Sequence, residues 1–129
     1  MKKLIVTLAF CAAALVALAA SDNYADISHP ELKAALAAKG ATIIDVNGSA
    51  SYAQGHIPGA MDFDAIKASL ARHLPADKDA LIVAYCGGPK CTAYRQAYDA
   101  AVALGYRNVK HYSGGLSGWE EKGEKLAKP

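Results

Sequence analysis

The chain has 129 residues, 53% of them apolar, and 14 Lys and Arg against 12 Asp and Glu give a formal charge of +2. That near balance leaves no basic stripe of the kind nucleic acid requires. The length suffices for one core, and three cysteines are too few for a disulfide scaffold.

Lys2 and Lys3 precede an apolar run over residues 4–16, and Ala17-Leu18-Ala19 supplies the small residues of a cleavage site. Residues 1–19 therefore read as a secretory signal peptide. The alternative is an uncleaved anchor, because the run approaches the length that spans a bilayer. Cys11 lies inside the run behind bulky Phe10, which argues against a lipoprotein site. Cleavage after Ala19 takes 19 of the 129 residues and leaves 110, residues 20–129, as a single domain. Loss of Lys2 and Lys3 leaves 12 basic against 12 acidic residues, a net charge of zero. The mature chain is expected in an oxidising compartment, periplasmic or secreted, free of the membrane. It keeps two cysteines, Cys86 and Cys91.

In chain order, Ser28-His29-Pro30-Glu31 has the form of a capping box with proline in the first turn. It predicts a helix to about Lys39 that stops at Gly40. Ala41-Thr42-Ile43-Ile44-Asp45-Val46 is β-branched and reads as a buried strand. Residues 49–60, rich in turn formers, predict mostly loop with one helical turn near Tyr52. Met61-Asp62-Phe63 predicts a short strand. Asp64 is placed to cap a helix that runs to about Leu74, where Pro75-Ala76-Asp77 breaks it. Residues 80–85 form the most apolar strand. A helix follows from about Thr92 to Leu104, ending at Gly105. Residues 109–112 form a last strand, and Gly114-Gly115 turns into a short helix that contains Trp119. Strands alternating with helices predict an α/β layer fold with a mostly parallel sheet. Ligands of such sheets sit at the carboxyl ends of the strands.

The chemistry concentrates in Cys86-Gly87-Gly88-Pro89-Lys90-Cys91, directly after the most apolar strand. A cysteine at a strand end, followed by a glycine-rich turn into a helix, is placed to hold sulfur as an anion. Only the thiolate is a competent nucleophile. A helix terminus supplies about 2 kcal/mol at most, and burial works against the anion. Backbone N–H groups of residues 87–92 must therefore add to it. Gly87 and Gly88 accept the backbone angles that such a turn needs, and Pro89 stiffens the turn without contributing an N–H.

Four segments together resemble the rhodanese-like, single-domain sulfurtransferase family. They are Ile43-Ile44-Asp45-Val46, Gly55-His56-Ile57-Pro58-Gly59-Ala60, Ala84-Tyr85-Cys86-Gly87-Gly88, and Gly105-Tyr106-Arg107-Asn108-Val109 with Gly114-Gly115 and Trp119. The resemblance covers residues 27–123. It implies a three-layer α/β domain, a mostly parallel central sheet with helices on both faces. It also implies that Cys86 takes sulfane sulfur from a small-molecule donor such as thiosulfate and passes it, as a persulfide, to cyanide or a thiol. Gly87, Gly88, Pro89, Lys90, Cys91 and Thr92 would then form the substrate-binding loop, with no metal and no organic cofactor.

The chain departs from the family pattern at two cations. Asn47 stands where the strand motif often has arginine, and Cys91 stands where the active loop often ends in arginine. Thr92 replaces the arginine that follows the longer loop of phosphatase relatives, which excludes the phosphatase reading. Lys90 either steers an anionic donor or is an ordinary exposed lysine, and Arg95 reads as a surface residue. Asp45 is expected to bond the backbone of a nearby loop, His56 to serve its turn, and Trp119 to anchor packing. His29, His73 and His111 lack metal-ligand spacing. Cys91 either resolves a modified Cys86 into a disulfide or only packs. Two other functions stay open: a thiol–disulfide redox protein using Cys86 and Cys91, whose spacing is not Cys-x-x-Cys, and a binding module without catalysis. The sequence does not indicate an oligomeric state.

Overall fold

A computed structural model describes residues 23–129. The expected signal peptide, with Cys11 in it, lies outside the described residues. Helix α1, His29–Ala37, opens on Ser28, whose side chain accepts from the Glu31 amide while the Glu31 carboxylate accepts from the Ser28 amide. Both halves of the predicted capping box are therefore present. The helix ends two residues before the predicted Lys39. Lys39 itself takes the left-handed backbone (φ 53°), and the Gly40 amide reaches back to the Ala35 carbonyl at 2.8 Å.

Strands β1 (Ala41–Asp45), β2 (Met61–Asp62), β3 (Leu81–Tyr85) and β4 (Val109–His111) form one sheet in the order β2-β1-β3-β4. All three pairings are parallel. The register sets Ala41 opposite Leu81 and Asp45 opposite Tyr85, so β1 and β3 end level at the carboxyl edge. Asp26 bridges to His111 in parallel, which extends the pairing beyond β4. Side chains alternate across the sheet, as the pleat requires. Ile44, Ile82 and Ala84 face one core with Phe63, Leu70, Ala97 and Ala101. Ile43, Val83 and Tyr85 face the other with Leu32, Ile57 and Trp119.

Those partners place helices on both faces. Helices α3 (Phe63–Ile66), α4 (Leu70–His73) and α5 (Arg95–Ala103) cover the first face, and α1 and α6 (Gly115–Glu121) cover the second. Helix α2, Ser49–Gln54, contains and extends the one helical turn predicted near Tyr52, and residues 55–60 remain turn and bridge. The single helix predicted from Asp64 to Leu74 is divided instead. Asp62, not Asp64, caps α3, a 3₁₀ turn spans Lys67–Ser69, and Ser69 leaves the helical region before α4. The segment is held by burial of Phe63, Ile66, Leu70 and Leu74 rather than by its own propensity, and pieces this short are not stable alone. Among the described residues, no helix is long and apolar enough to cross a membrane.

Candidate active site

Level strand ends bring three loops together at the carboxyl edge of the sheet. These are the segment after β1, with Asn47, the segment after β3, with Cys86, and the turn from β4 into α6. A buried polar contact fixes their base. The Tyr85 hydroxyl donates to Asp45 Oδ2 at 2.6 Å and accepts from the Ile57 amide at 3.0 Å. Asp45 Oδ1 accepts from the Asn47 amide at 2.8 Å, the loop-bonding role expected of it. Burial first, and then the bond to Asp45, push the Tyr85 hydroxyl far above the ordinary tyrosine range, so it stays a donor at every accessible pH.

Cys86 follows β3 directly and is 1% exposed. Its carbonyl accepts from the Leu116 amide at 2.9 Å, and the Gly87 carbonyl accepts from the Ser117 amide at 3.0 Å. The peptide bonds are trans, so the N–H on the far side of each unit points opposite to its carbonyl. The N–H groups of Gly87 and Gly88 therefore point away from α6. Neither they nor the N–H groups of Lys90 and Thr92 donate to any acceptor among the described residues. The Cys91 amide closes a turn onto the Gly88 carbonyl at 3.1 Å, with Pro89 at the position where its fixed φ suits a turn.

Cys86 and Cys91 are joined by a disulfide, with their Cα atoms 6.2 Å apart, inside the range such a bond requires. Cys91 is thus bonded to Cys86 and not only packed against it. Cys86 is sealed from solvent while its partner is half-buried. Helix α5 begins at Arg95 and not at the predicted Thr92. The Thr92 and Ala93 carbonyls accept from the Arg95 and Gln96 amides at 3.1 Å each, i→i+3 bonds that tighten the entry into a 3₁₀-like turn. The α5 terminus thus stands a turn further from the loop than the sequence implied. Gly87, Pro89, Lys90 and Thr92 are exposed, and Gly88 is half-buried.

Sequence reasoning missed what holds the loop from behind. Gly115 has φ +60°, and a Cβ there would lie 2.6 Å from both the Cys86 carbonyl oxygen and the Gly88 amide nitrogen. A Cβ on Gly88 would lie 2.7 Å from Ser117 Oγ. At Gly115 the start of α6 and the loop therefore meet backbone to backbone, which only glycine there permits, while Gly88 sits against the Ser117 hydroxyl. The Gly-Gly pair was visible as a turn, but the loop after β3 that it packs against was not. Asn47 also abuts the loop: its Oδ1 lies 3.6 Å from where a Gly87 Cβ would sit, and its Nδ2 is buried without a partner.

The histidines stand apart. His56 Nδ1 bonds the Tyr52 carbonyl at 2.8 Å, and its backbone pairs with Ala127. His29 bonds Tyr112 and Glu124, and His111 stacks on Tyr94. Among the described residues no group of His, Cys, Asp and Glu is arranged to hold a metal ion. Trp119 is buried and donates Nε1 to the Lys125 carbonyl at 3.0 Å, a packing anchor as expected. A cleft of about 580 Å³ opens beside it, lined by Lys33, Leu36 and Glu124 among others and by none of the loop residues.

The sequence matches the Rhodanese-like domain family over residues 28–122. This chain belongs to the rhodanese-like family. The rhodanese-like domain is 36% identical over 91 residues to the thiosulfate sulfurtransferase GlpE of Pseudomonas entomophila, covering 70% of this chain and 80% of that one. It is 34% identical over 113 residues to an HTH-type transcriptional regulator of Mycobacterium tuberculosis, covering 84% of this chain but 49% of the regulator. Among solved structures, a human single-domain sulfurtransferase superposes with a TM-score of 0.62 at 27% identity, covering 78% of this chain and 98% of that one.

Proposed function

We propose that this rhodanese-like domain is a sulfurtransferase in which Cys86 carries the transferred sulfur. The observation that carries the reading is the disulfide itself. Cys91 Sγ is bonded to Cys86 Sγ, so it stands in for the outer sulfur of a persulfide and marks the space such an atom needs. In the reduced loop the Cys86 thiolate attacks the outer sulfur of thiosulfate, the sulfur–sulfur bond of the donor breaks, and sulfite leaves with the bonding pair. Cyanide or a thiol then attacks the outer sulfur of the persulfide, and Cys86 returns as thiolate. One hard transfer becomes two easier ones. The N–H groups of Gly87 and Gly88, aimed away from α6 and without protein acceptors, are the donors for the thiolate charge. Lys90, exposed at the rim, attracts an anionic donor. Similarity to proteins named thiosulfate sulfurtransferase supports thiosulfate as the donor class. Export to the periplasm or beyond, as the signal-like residues 1–19 imply, belongs to the same proposal.

The test uses protein reduced and then freed of reductant. Exposure to thiosulfate together with cyanide should yield thiocyanate from the parent, exposure to thiosulfate alone should add one sulfur atom to Cys86 in Cys91→Ser, and Cys86→Ser should abolish both. Absence of both products overturns the proposal. The same disulfide favours a second reading, a thiol–disulfide redox protein. Cys91→Ser separates the two: sulfur transfer to cyanide survives this change under the first reading, and only disulfide exchange is lost.

A further inference from the structure

The disulfide has a chemical consequence for the transferred sulfur. We propose that the loop, acting on the Cys86 persulfide of the preceding section, also releases that sulfur as sulfide, with Cys91 as the resolving catalytic residue. The bond that the reaction must make is the one present in the structure: Cys91 Sγ on Cys86 Sγ, with the Cα atoms 6.2 Å apart. Cys91 closes the turn through its own amide to the Gly88 carbonyl, and this backbone bond does not depend on the disulfide, so it keeps the two cysteines on one tight turn.

The steps balance. Cys86 thiolate and thiosulfate give the Cys86 persulfide and sulfite. The Cys91 thiolate then attacks the inner sulfur of the protonated persulfide. The Cys86–Cys91 bond forms, the bond to the outer sulfur breaks, and that sulfur leaves as hydrosulfide with the bonding pair and its proton. Two thiols are oxidised to a disulfide, and one sulfane sulfur is reduced to sulfide. Attack at the outer sulfur only hands it to Cys91, from which Cys86 recovers it.

An external dithiol completes the cycle. Cys86 is 1% exposed and Cys91 is half-buried, so the dithiol attacks Cys91 Sγ and Cys86 is the leaving group. The N–H groups of Gly87 and Gly88 that favour the thiolate as nucleophile also favour its departure, because a thiol of lower pKa leaves faster. The second thiol of the reductant then frees Cys91. Over one cycle thiosulfate and a dithiol yield sulfite, hydrosulfide and the oxidised dithiol, whose two protons pass to the two products. The residue type at position 91 fits this assignment. Position 91 holds a thiol in place of a cation, and the loop has gained a second electron-pair donor at the cost of a charge.

The experiment is a single turnover, anaerobic, with reduced protein freed of all other thiols and given excess thiosulfate. The parent should release about one sulfide per chain and finish lighter by two hydrogens, without retained sulfur. Cys91→Ser should retain one added sulfur and release sulfide at least about tenfold more slowly. A parent that keeps the added sulfur without releasing sulfide overturns this inference while leaving the sulfurtransferase reading intact. Equal sulfide release by parent and Cys91→Ser overturns the role of Cys91. If neither protein takes up sulfur, the sulfurtransferase reading fails and this inference falls with it.

Discussion

Tyr85 ties two segments together through one hydroxyl. It is fully buried, and its one hydroxyl serves both a carboxylate and a backbone amide from different segments. Tyr85→Phe keeps the ring and leaves the buried Ile57 N–H unmatched and Asp45 short of a donor. We expect a loss of about 2–4 kcal/mol in urea unfolding, since unmatched buried groups cost about 1–3 kcal/mol each. His111 is buried as well. It is 7% exposed, its Nε2 has no partner, and it stacks face to face on Tyr94. Burial lowers its pKa, the Asp26 carboxylate raises it in part, and Arg95 lowers it again. The native state therefore holds the neutral ring more firmly than the unfolded chain does. Its stabilising contribution is complete above the ordinary histidine value of about 6.5 and is lost as pH falls below that, toward the lowered native value. Stability measured at about pH 7.5 and about pH 5 should drop in the parent by more than in His111→Phe, which keeps the stack without the titration.

Helix α6 is short, yet the loop geometry depends on it. Its first two free amides fix the Cys86 and Gly87 carbonyls, and Gly115 allows the approach. In Gly115→Ala the new methyl collides with the Cys86 carbonyl and must also adopt φ near +60°. The variant should lose about 2 kcal/mol or more and lose sulfur transfer disproportionately, because the loop amides turn with the carbonyls. Transfer at parental rates in a folded Gly115→Ala protein would contradict that coupling. Helix α1 needs no such partner to start. Its capping box is local, and for that reason Ser28 and Glu31 could be read directly from the chain. Helix α5 shows the opposite: it starts at Arg95 rather than Thr92, with the Thr92 and Ala93 carbonyls engaged in i→i+3 bonds from the Arg95 and Gln96 amides.

Oxidation state should change the stability of the fold as well as its chemistry. The disulfide spans a sequence separation of 5, and closing so short a loop removes entropy from the unfolded chain worth about 2 kcal/mol. Urea midpoints of oxidised and reduced protein should differ in that direction, with Cys91→Ser matching the reduced parent and showing no response to reductant. The sheet carries two cores, one on each face, and both are closed by helices that arrive late in the chain, α5 and α6.

The order of strands and helices along the chain, the capping box, the parallel α/β class and the place of Cys86 directly after β3 were all legible in the chain, because each rests on neighbours a few residues apart. Side-chain periodicity, cap chemistry and glycine-rich turns are local preferences. The junction of Gly115 with the Cys86 loop, the contact between Asp45 and Tyr85 across 40 residues and the division of α3 from α4 were decided by the tertiary structure. Their free energies come from burial and backbone approach between distant segments, and no local preference encodes which distant atom will fill a given place.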